Sequence, residues 1–383
     1  MTYFFDFSII PAKSIAEDKI NYLTKYHLVK RHTIIEINRF TNFLREGAFV
    51  RHGIWSLLYN GTSKESKTTS RSIKTDFLTS KISRNHYTNQ WDMNSVEFEK
   101  VLDLELQNSL DDREKIIIDW NSIEKTPFEK AYELGQQAIS VGQVKKFVPI
   151  ARQTGQMRSS LSQSQKVGFL KKLARLHVSL YPYGEWNGSA GFMGASPEVF
   201  FDLNQLELTT MALAGTSGKE IDPDQFLKDP KERKEHQFVI DDIAEQLGAL
   251  GVVTVDDTEV VQFPTLNHLQ TKISARLFNQ VSADELIKKL HPTPALGIYP
   301  RSKYFKEFSQ FPNQSERDFF GAPWGFETSA RTFLLVAIRK WDWSGKDVQI
   351  FAGCGVVQES IFEKEFAEIL KKIDSVKRLF FQD

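Results

Sequence analysis

One cysteine in 383 residues leaves no disulfide framework and no cysteine-rich zinc site. An excess of either charge is missing too. The 49 Lys and Arg match 49 Asp and Glu, so the chain lacks the basic surplus that nucleic acid or an anionic membrane surface favours. No run of uncharged apolar residues is long enough to make a membrane-spanning helix. The N-terminal stretch is interrupted by Asp6 and Pro11 and lacks the charged start and long apolar core of a signal peptide. No internal repeat stands out. Small-molecule chemistry in a reducing cytoplasm is what these absences leave, with neither nucleic acid nor membrane as partner. What is present is core material: 30 Phe and 7 Trp within a 41% hydrophobic fraction, enough to fill a sizeable interior and too much for a disordered chain.

From Asn60 to Asn85 the sequence is rich in Ser, Thr and Lys and nearly free of aliphatics, which predicts a solvated hairpin or mobile loop. Thr126-Pro127-Phe128-Glu129 has the pattern of a helix start, with Thr126 as cap and Glu129 reaching back to it, and Gly142 as the stop. KKFVPIAR, GFMGASPEVFFDL, LELTTMALAGT, FLLVAIRKW and VQIFAGCGVV read as strands. PKERKEHQFVIDDIAEQLGAL reads as a helix with Val239, Ile243 and Leu247 inward. A last helix from Phe362 carries Phe366, Ile369, Leu370, Ile373, Val376 and Leu379 on one stripe. Strands in runs, with helices between them, favour an α+β fold with antiparallel pairing.

Two helices carry carboxylates three residues apart: Glu232 with Glu235, and Glu365 with Glu368. That spacing puts each pair on one helical face, and Lys372 extends the second pair by one turn. Four oxygen donors from two helices suit Mg²⁺, although most Glu/Lys strips are solvated faces. The other local signals are weaker. Gly215-Thr216-Ser217-Gly218-Lys219 is too short for a phosphate loop. Cys354, between two glycines and without a basic neighbour, reads as a packing residue. His268 and His291 are not at metal-ligand spacing.

In order along the chain, GASPE (194–198), ALAGT (212–216), EHQFVID (235–241), LNHLQTKISARL (266–277), LHPTPALGIYPR (290–301), FFGAPWGF (319–326), LLVAIRK (334–340) and FAGCGVVQESIFEKEFAEILKK (351–372) resemble the chorismate-utilising enzymes. That group comprises isochorismate, salicylate, anthranilate and aminodeoxychorismate synthases. The resemblance covers about two thirds of the chain and implies one large α+β domain, two twisted antiparallel sheets packed as a sandwich with flanking helices. Residues 1–120 would add strands and helices to that sandwich, and 121–383 would form the chorismate-binding catalytic region. The resemblance further implies Glu198 as the acid that protonates the departing 4-hydroxyl. Glu235 and Glu368 would be direct Mg²⁺ ligands, with Glu232 and Glu365 reaching the ion through water. Arg339 and Lys372 would bind substrate carboxylates, Gly215, Thr216, Gly353 and Gly355 would approach through backbone, and His268 would line the pocket.

The same resemblance divides the group by nucleophile. Water users carry a lysine base where ammonia users carry Gln and couple to a glutaminase. Here VKKFVPIARQ supplies Lys146, with Lys145 in reserve, but the matching position itself is Phe147, one residue on. A one-residue shift points to the opposite strand face unless a bulge intervenes, and Pro149 makes one plausible. Ile298 and Trp324 depart from the pattern in ways expected to reshape the pocket. The expectation is an isochorismate synthase (an isomerase) without a glutaminase partner, feeding menaquinone or siderophore synthesis. Salicylate synthase, an ammonia-using synthase and an inactive chorismate-binding homologue are the alternatives.

Overall fold

The computed structural model describes residues 40–63, 70–108, 115–263 and 266–382. The chain divides into two compact units, Met1–Asn42 and Phe43–Asp383. In the first only residues 40–42, which are helical, are described, so the expectation for the N-terminal stretch lies outside the described residues. Everything below concerns the second unit.

Among the described residues seventeen strands make one hydrogen-bonded sheet, and every pairing in it is antiparallel. From one edge the ladder runs Ile118–Trp120, Ile150–Met157, Asp347–Gly353, Lys340–Ser344, Ala190–Ser196, Tyr181–Asn187 and Glu46–His52. It continues through Trp55–Ser63, Ile82–Asn94, Arg71–Thr75, Pro323–Glu327, Arg331–Val336, Val199–Asn204, Glu207–Gly218 and Leu266–Leu277. Gly251–Val255 and Glu259–Gln262 share the far edge. Ala190–Ser196 and Val199–Asn204 are consecutive in sequence yet far apart on this ladder, and so are Arg331–Val336 and Lys340–Ser344. The sheet must therefore fold over on itself. Its two halves meet where Trp324 packs against Tyr183 and Phe192. The strands of residues 46–94 join one half to the other, which makes the two sheets of the resemblance continuous in hydrogen bonding.

Local details depart from the sequence reading in instructive ways. The Ser/Thr/Lys-rich stretch holds one of the two forms expected of it, a hairpin of Arg71–Thr75 with Ile82–Asn94, with 64–69 outside the described residues, but the hairpin is not a solvated one. Arg71–Thr75 is paired on both edges, and its Ser72 and Thr75 are buried, so hydroxyl side chains there signal a covered strand and not a loop. The helix expected to be capped by Thr126 starts two residues earlier than that cap implies, at Lys125, with Glu124 as an N-cap that makes no side-chain bond. Its stop is as read: Gly142 takes φ +74 just beyond Ser140. In the last helix, Phe362–Phe381, the buried stripe is Glu365, Ile369, Ile373, Val376 and Phe380. Leu370 is instead exposed, because the stripe advances by four and three residues from Glu365. Among the described residues no helix is long and apolar enough to cross a membrane.

Candidate active site

The chain passes between the half-sheets through two short breaks, and both point functional groups inward. Pro197 and Glu198 interrupt one strand; Ala337, Ile338 and Arg339 interrupt its counterpart. The breaks brace each other. The Val336 amide donates to the Glu198 carbonyl (3.1 Å), the Ala195 amide to the Arg339 carbonyl (3.1 Å), and the Ser196 hydroxyl to the Val336 carbonyl (2.7 Å). The Tyr183 hydroxyl pins the Ile338 carbonyl from the core (2.9 Å). Arg339 itself sits at φ +54, a left-handed conformation costly for a side chain and held here by this bracing. A third irregularity, a bulge between Ala214 and Thr216, is centred on Gly215 at φ +77.

These breaks open onto one cavity. Its walls include Glu198, Gly215, Thr216, Glu235, His268, Arg339, Gly353, Gly355, Glu368 and Lys372, ten of the residues singled out from sequence. Leu213, Leu296, Phe320, Ile338 and Phe351 supply an apolar lining that sequence reading missed. The cavity volume is about 50 Å³, so substrate entry requires wall side chains to give way. A larger groove of about 1380 Å³ crosses the strands elsewhere. None of the residues singled out from sequence lines that groove, so the smaller cavity is the chemical candidate.

Within the cavity the polar groups are ordered by specific bonds. Arg339 donates to His268 Nε2 (3.1 Å), which leaves Nδ1–H to donate to the Gly215 carbonyl (3.1 Å). Burial, then the charges of Arg339 and Lys372, hold this imidazole well below the usual histidine range, so it is neutral. Burial pushes the Glu198 carboxyl up to about 8, against the pull of Lys146, Lys372 and Arg339. It therefore carries a proton at neutral pH. Lys372 donates to the Gly353 carbonyl (2.7 Å) and pairs with Glu368 (2.6 Å).

Lys146 lies in a two-residue strand, Lys146–Phe147, paired with Ile298–Tyr299 and separated from Ile150–Met157 by Pro149. The predicted single strand is thus split by its proline. Lys146 is fully buried; Lys145 is exposed. The Lys146 ammonium donates to the Pro294 carbonyl (2.5 Å) and pairs with Glu235 at 3.4 Å, just behind the cavity wall. Burial pulls it below the usual lysine range while Glu235 resists. Phe147 faces the other way, its ring where a side chain on Gly135 would stand. A Cβ on Gly355 would lie 1.9 Å from Glu235 Oε1 and 2.8 Å from Lys146 Cε, so only glycine admits this ion pair. Ile298 and Trp324 are not on the cavity wall. Ile298 faces Phe147 in the short ladder, and Trp324 is core, its indole donating to Glu185 (2.8 Å). Cys354 is buried, and burial pushes its thiol well up, consistent with packing.

The four acids lie on the two helices Pro230–Gly248 and Phe362–Phe381. Asp229 caps the first helix by accepting from the amides of Lys231 (2.9 Å) and Glu232 (3.0 Å). Glu232 also accepts from the Thr216 amide (2.8 Å). Burial and the charge of Glu235 hold Glu232 above the usual carboxylate range; burial and Glu368 do the same to Glu365. For Glu235 burial pulls upward, but Lys146, Lys231 and Lys372 together hold it low. Mutually repelling carboxylates without nitrogen or sulfur donors fit a hard divalent cation. In the arrangement described, however, lysines take the acids, and no three His, Cys, Asp or Glu among the described residues are placed to hold an ion. Lys231, which sequence reading missed, bridges Glu232 (3.0 Å) and Glu365 (2.8 Å). Its signal was a cation in the first turn of a helix, where the helix dipole disfavours positive charge.

Comparison with known proteins bears on the family and the fold. A salicylate biosynthesis isochorismate synthase of Pseudomonas aeruginosa is 32% identical over 218 residues, 54% of this chain and 46% of that protein. Isochorismate synthase MenF of Escherichia coli is 27% identical over 265 residues, 67% of this chain and 60% of MenF. The match thus spans about half the length of these curated relatives. The solved structure of the Escherichia coli menaquinone-specific isochorismate synthase superposes with a TM-score of 0.73 at 19% identity, over 88% of this chain and 89% of that one. Anthranilate synthase component I of Streptococcus pneumoniae gives 0.64 at 16%, over 87% and 92%. The fold is shared with both. Over residues 66–380 the sequence matches the family described as chorismate binding enzyme, and the chain belongs to that family.

Proposed function

We propose that the protein is an isochorismate synthase, converting chorismate to isochorismate by adding water at C2 and losing the C4 hydroxyl. The observation that carries this reading is one cavity in which a protonated, buried carboxyl, Glu198, faces two cations, Arg339 and Lys372, with a buried lysine, Lys146, behind Glu235. Arg339 and Lys372 hold the carboxylates of a dianion. Glu198 gives its proton to the departing hydroxyl, and Lys146, whose neutral amine form burial favours, first releases its own proton and then as the free amine takes one from the attacking water. One water enters and one leaves, so the substrate is isomerised without net gain or loss of atoms. The neutral His268 is locked between Arg339 and Gly215, fixing the guanidinium that receives substrate. Glu232, Glu235, Glu365 and Glu368 would hold Mg²⁺, which neutralises carboxylate charge when bound.

Lysine in place of Gln favours water over ammonia and an enzyme acting without a glutaminase. The test is incubation of purified protein with chorismate and Mg²⁺. Isochorismate is the expected product. Salicylate with pyruvate, or product only with added ammonium, would assign one of the other family chemistries; tight chorismate binding without turnover would mark an inactive homologue.

A further inference from the structure

The four acids are not waiting as bare carboxylates. Each already holds a lysine: Glu235 with Lys146, Glu368 with Lys372, and Glu232 and Glu365 with the single ammonium of Lys231. The three lysines are not equivalent. Lys146 is enclosed and also anchored on the Pro294 carbonyl, and Lys372 is anchored on the Gly353 carbonyl. Among the described residues the Lys231 ammonium bonds only its two acids, its side chain is 26% exposed, and it sits at the first turn of its helix with a path to solvent. It also joins the two helices, since Glu232 and Glu365 come one from each.

We propose that Lys231 is a built-in counter-ion of the metal site, spanning Glu232 and Glu365 until Mg²⁺ displaces it toward solvent. This rests on the reading that these acids bind Mg²⁺. Two positive charges cannot share one pair of buried carboxylates without repulsion, so part of the ion's binding free energy is spent in moving the ammonium. The role is positioning: the lysine keeps four acids from pushing the helices apart and sets how tightly the ion is held. Lys231 touches neither substrate nor reacting atoms in this scheme.

The test is calorimetric titration of Mg²⁺ into metal-depleted protein without chorismate, for wild type, K231M and K231Q, each checked for folding by circular dichroism. Removing the competing charge is expected to tighten Mg²⁺ binding about tenfold or more in K231M. K231Q, neutral but able to hydrogen-bond both acids, is expected between K231M and wild type, and serves alone if K231M does not fold. The metal-depleted variants should also melt below wild type and regain more of that loss on adding Mg²⁺. Unchanged or weaker Mg²⁺ binding in a folded neutral variant overturns the inference while leaving the metal reading intact. No Mg²⁺ binding by wild type overturns both.

Discussion

Replacing Glu198 by Gln should make the protein more stable and nearly inactive, and the two effects have one cause. The Glu198 carboxyl is buried and pushed up to about 8 from an ordinary value of 4.5. At pH 7 the unfolded chain would ionise this group almost completely, whereas the folded chain must keep it protonated. A raised folded value means the stabilising contribution is complete below the unfolded value and is lost as pH rises toward the folded one. For these two values the loss at pH 7 is about 3 kcal/mol. Gln has the same shape and never ionises, so E198Q should recover that amount. For a chain of this length it raises the melting temperature by roughly 3–5 °C. Differential scanning calorimetry of both proteins from pH 4 to 8 gives the decisive trend. The curves should coincide near pH 4 and separate steadily above it, with E198Q on top. Isochorismate formation should meanwhile fall at least about a hundredfold, since the departing hydroxyl loses its proton donor. An E198Q protein less stable than wild type at pH 7, or a gap independent of pH, would refute the argument that burial tunes this acid.

Two other substitutions test the opposite wall. K146A should lose at least about a hundredfold in kcat, with partial recovery in added methylamine, because a small amine can occupy the vacated space as base. No recovery by any amine would mean that Lys146 serves only as counter-ion to Glu235. Gly355→Ala places a methyl 1.9 Å from Glu235 Oε1 and should both abolish turnover and lower stability by about 1–3 kcal/mol in urea unfolding. Wild-type kcat in that variant would show that the Glu235–Lys146 pair is not held where it is described.

The residues that line the cavity were named through the resemblance, which supplied Glu198, His268, Arg339, Lys372 and the glycines; spacing alone supplied the two pairs of acids. Acids at three-residue spacing declare one helical face, and both pairs do lie on the predicted helices. Glycines that admit close approach, Gly215 and Gly355, occupy positions where a side chain would strain or collide. The fold class was legible from strands arriving in runs. The continuity of the sheet was not, because pairing between Arg71–Thr75 and Pro323–Glu327 joins residues some 250 apart, and no local pattern encodes a partner at that distance. Ser72 and Thr75 misled for the same reason, since a hydroxyl reads as solvated until its covering strand is known. Lys231 escaped notice because its meaning depends on Glu365, which lies 134 residues away on another helix.

The charges of the site carry a last consequence. In the resting state, with Glu198 protonated and Lys146 still an ammonium on Glu235, and at a pH above the value of about 7 to which Glu232 is pushed, Glu232, Glu235, Glu365 and Glu368 give four negative charges, and Lys146, Lys231, Lys372 and Arg339 give four positive, so the sum is zero. A divalent cation alone adds two positive charges to a largely buried site, and a dianion alone adds two negative. Each is costly by itself, and each offsets the charge of the other. Displacement of Lys231 softens the first step without removing it, since the ion then leaves one net positive charge that a dianion still finds attractive. On the proposed function, Mg²⁺ and chorismate are therefore expected to strengthen one another's binding, by the same factor in either order. Titrating Mg²⁺ in the absence of ligand and then with saturating chorismate bound to E198Q, which turns over slowly, should give dissociation constants differing by about tenfold or more. Equal constants would mean that the charges around the cavity are screened from one another, and that the zero sum has no bearing on how the site fills.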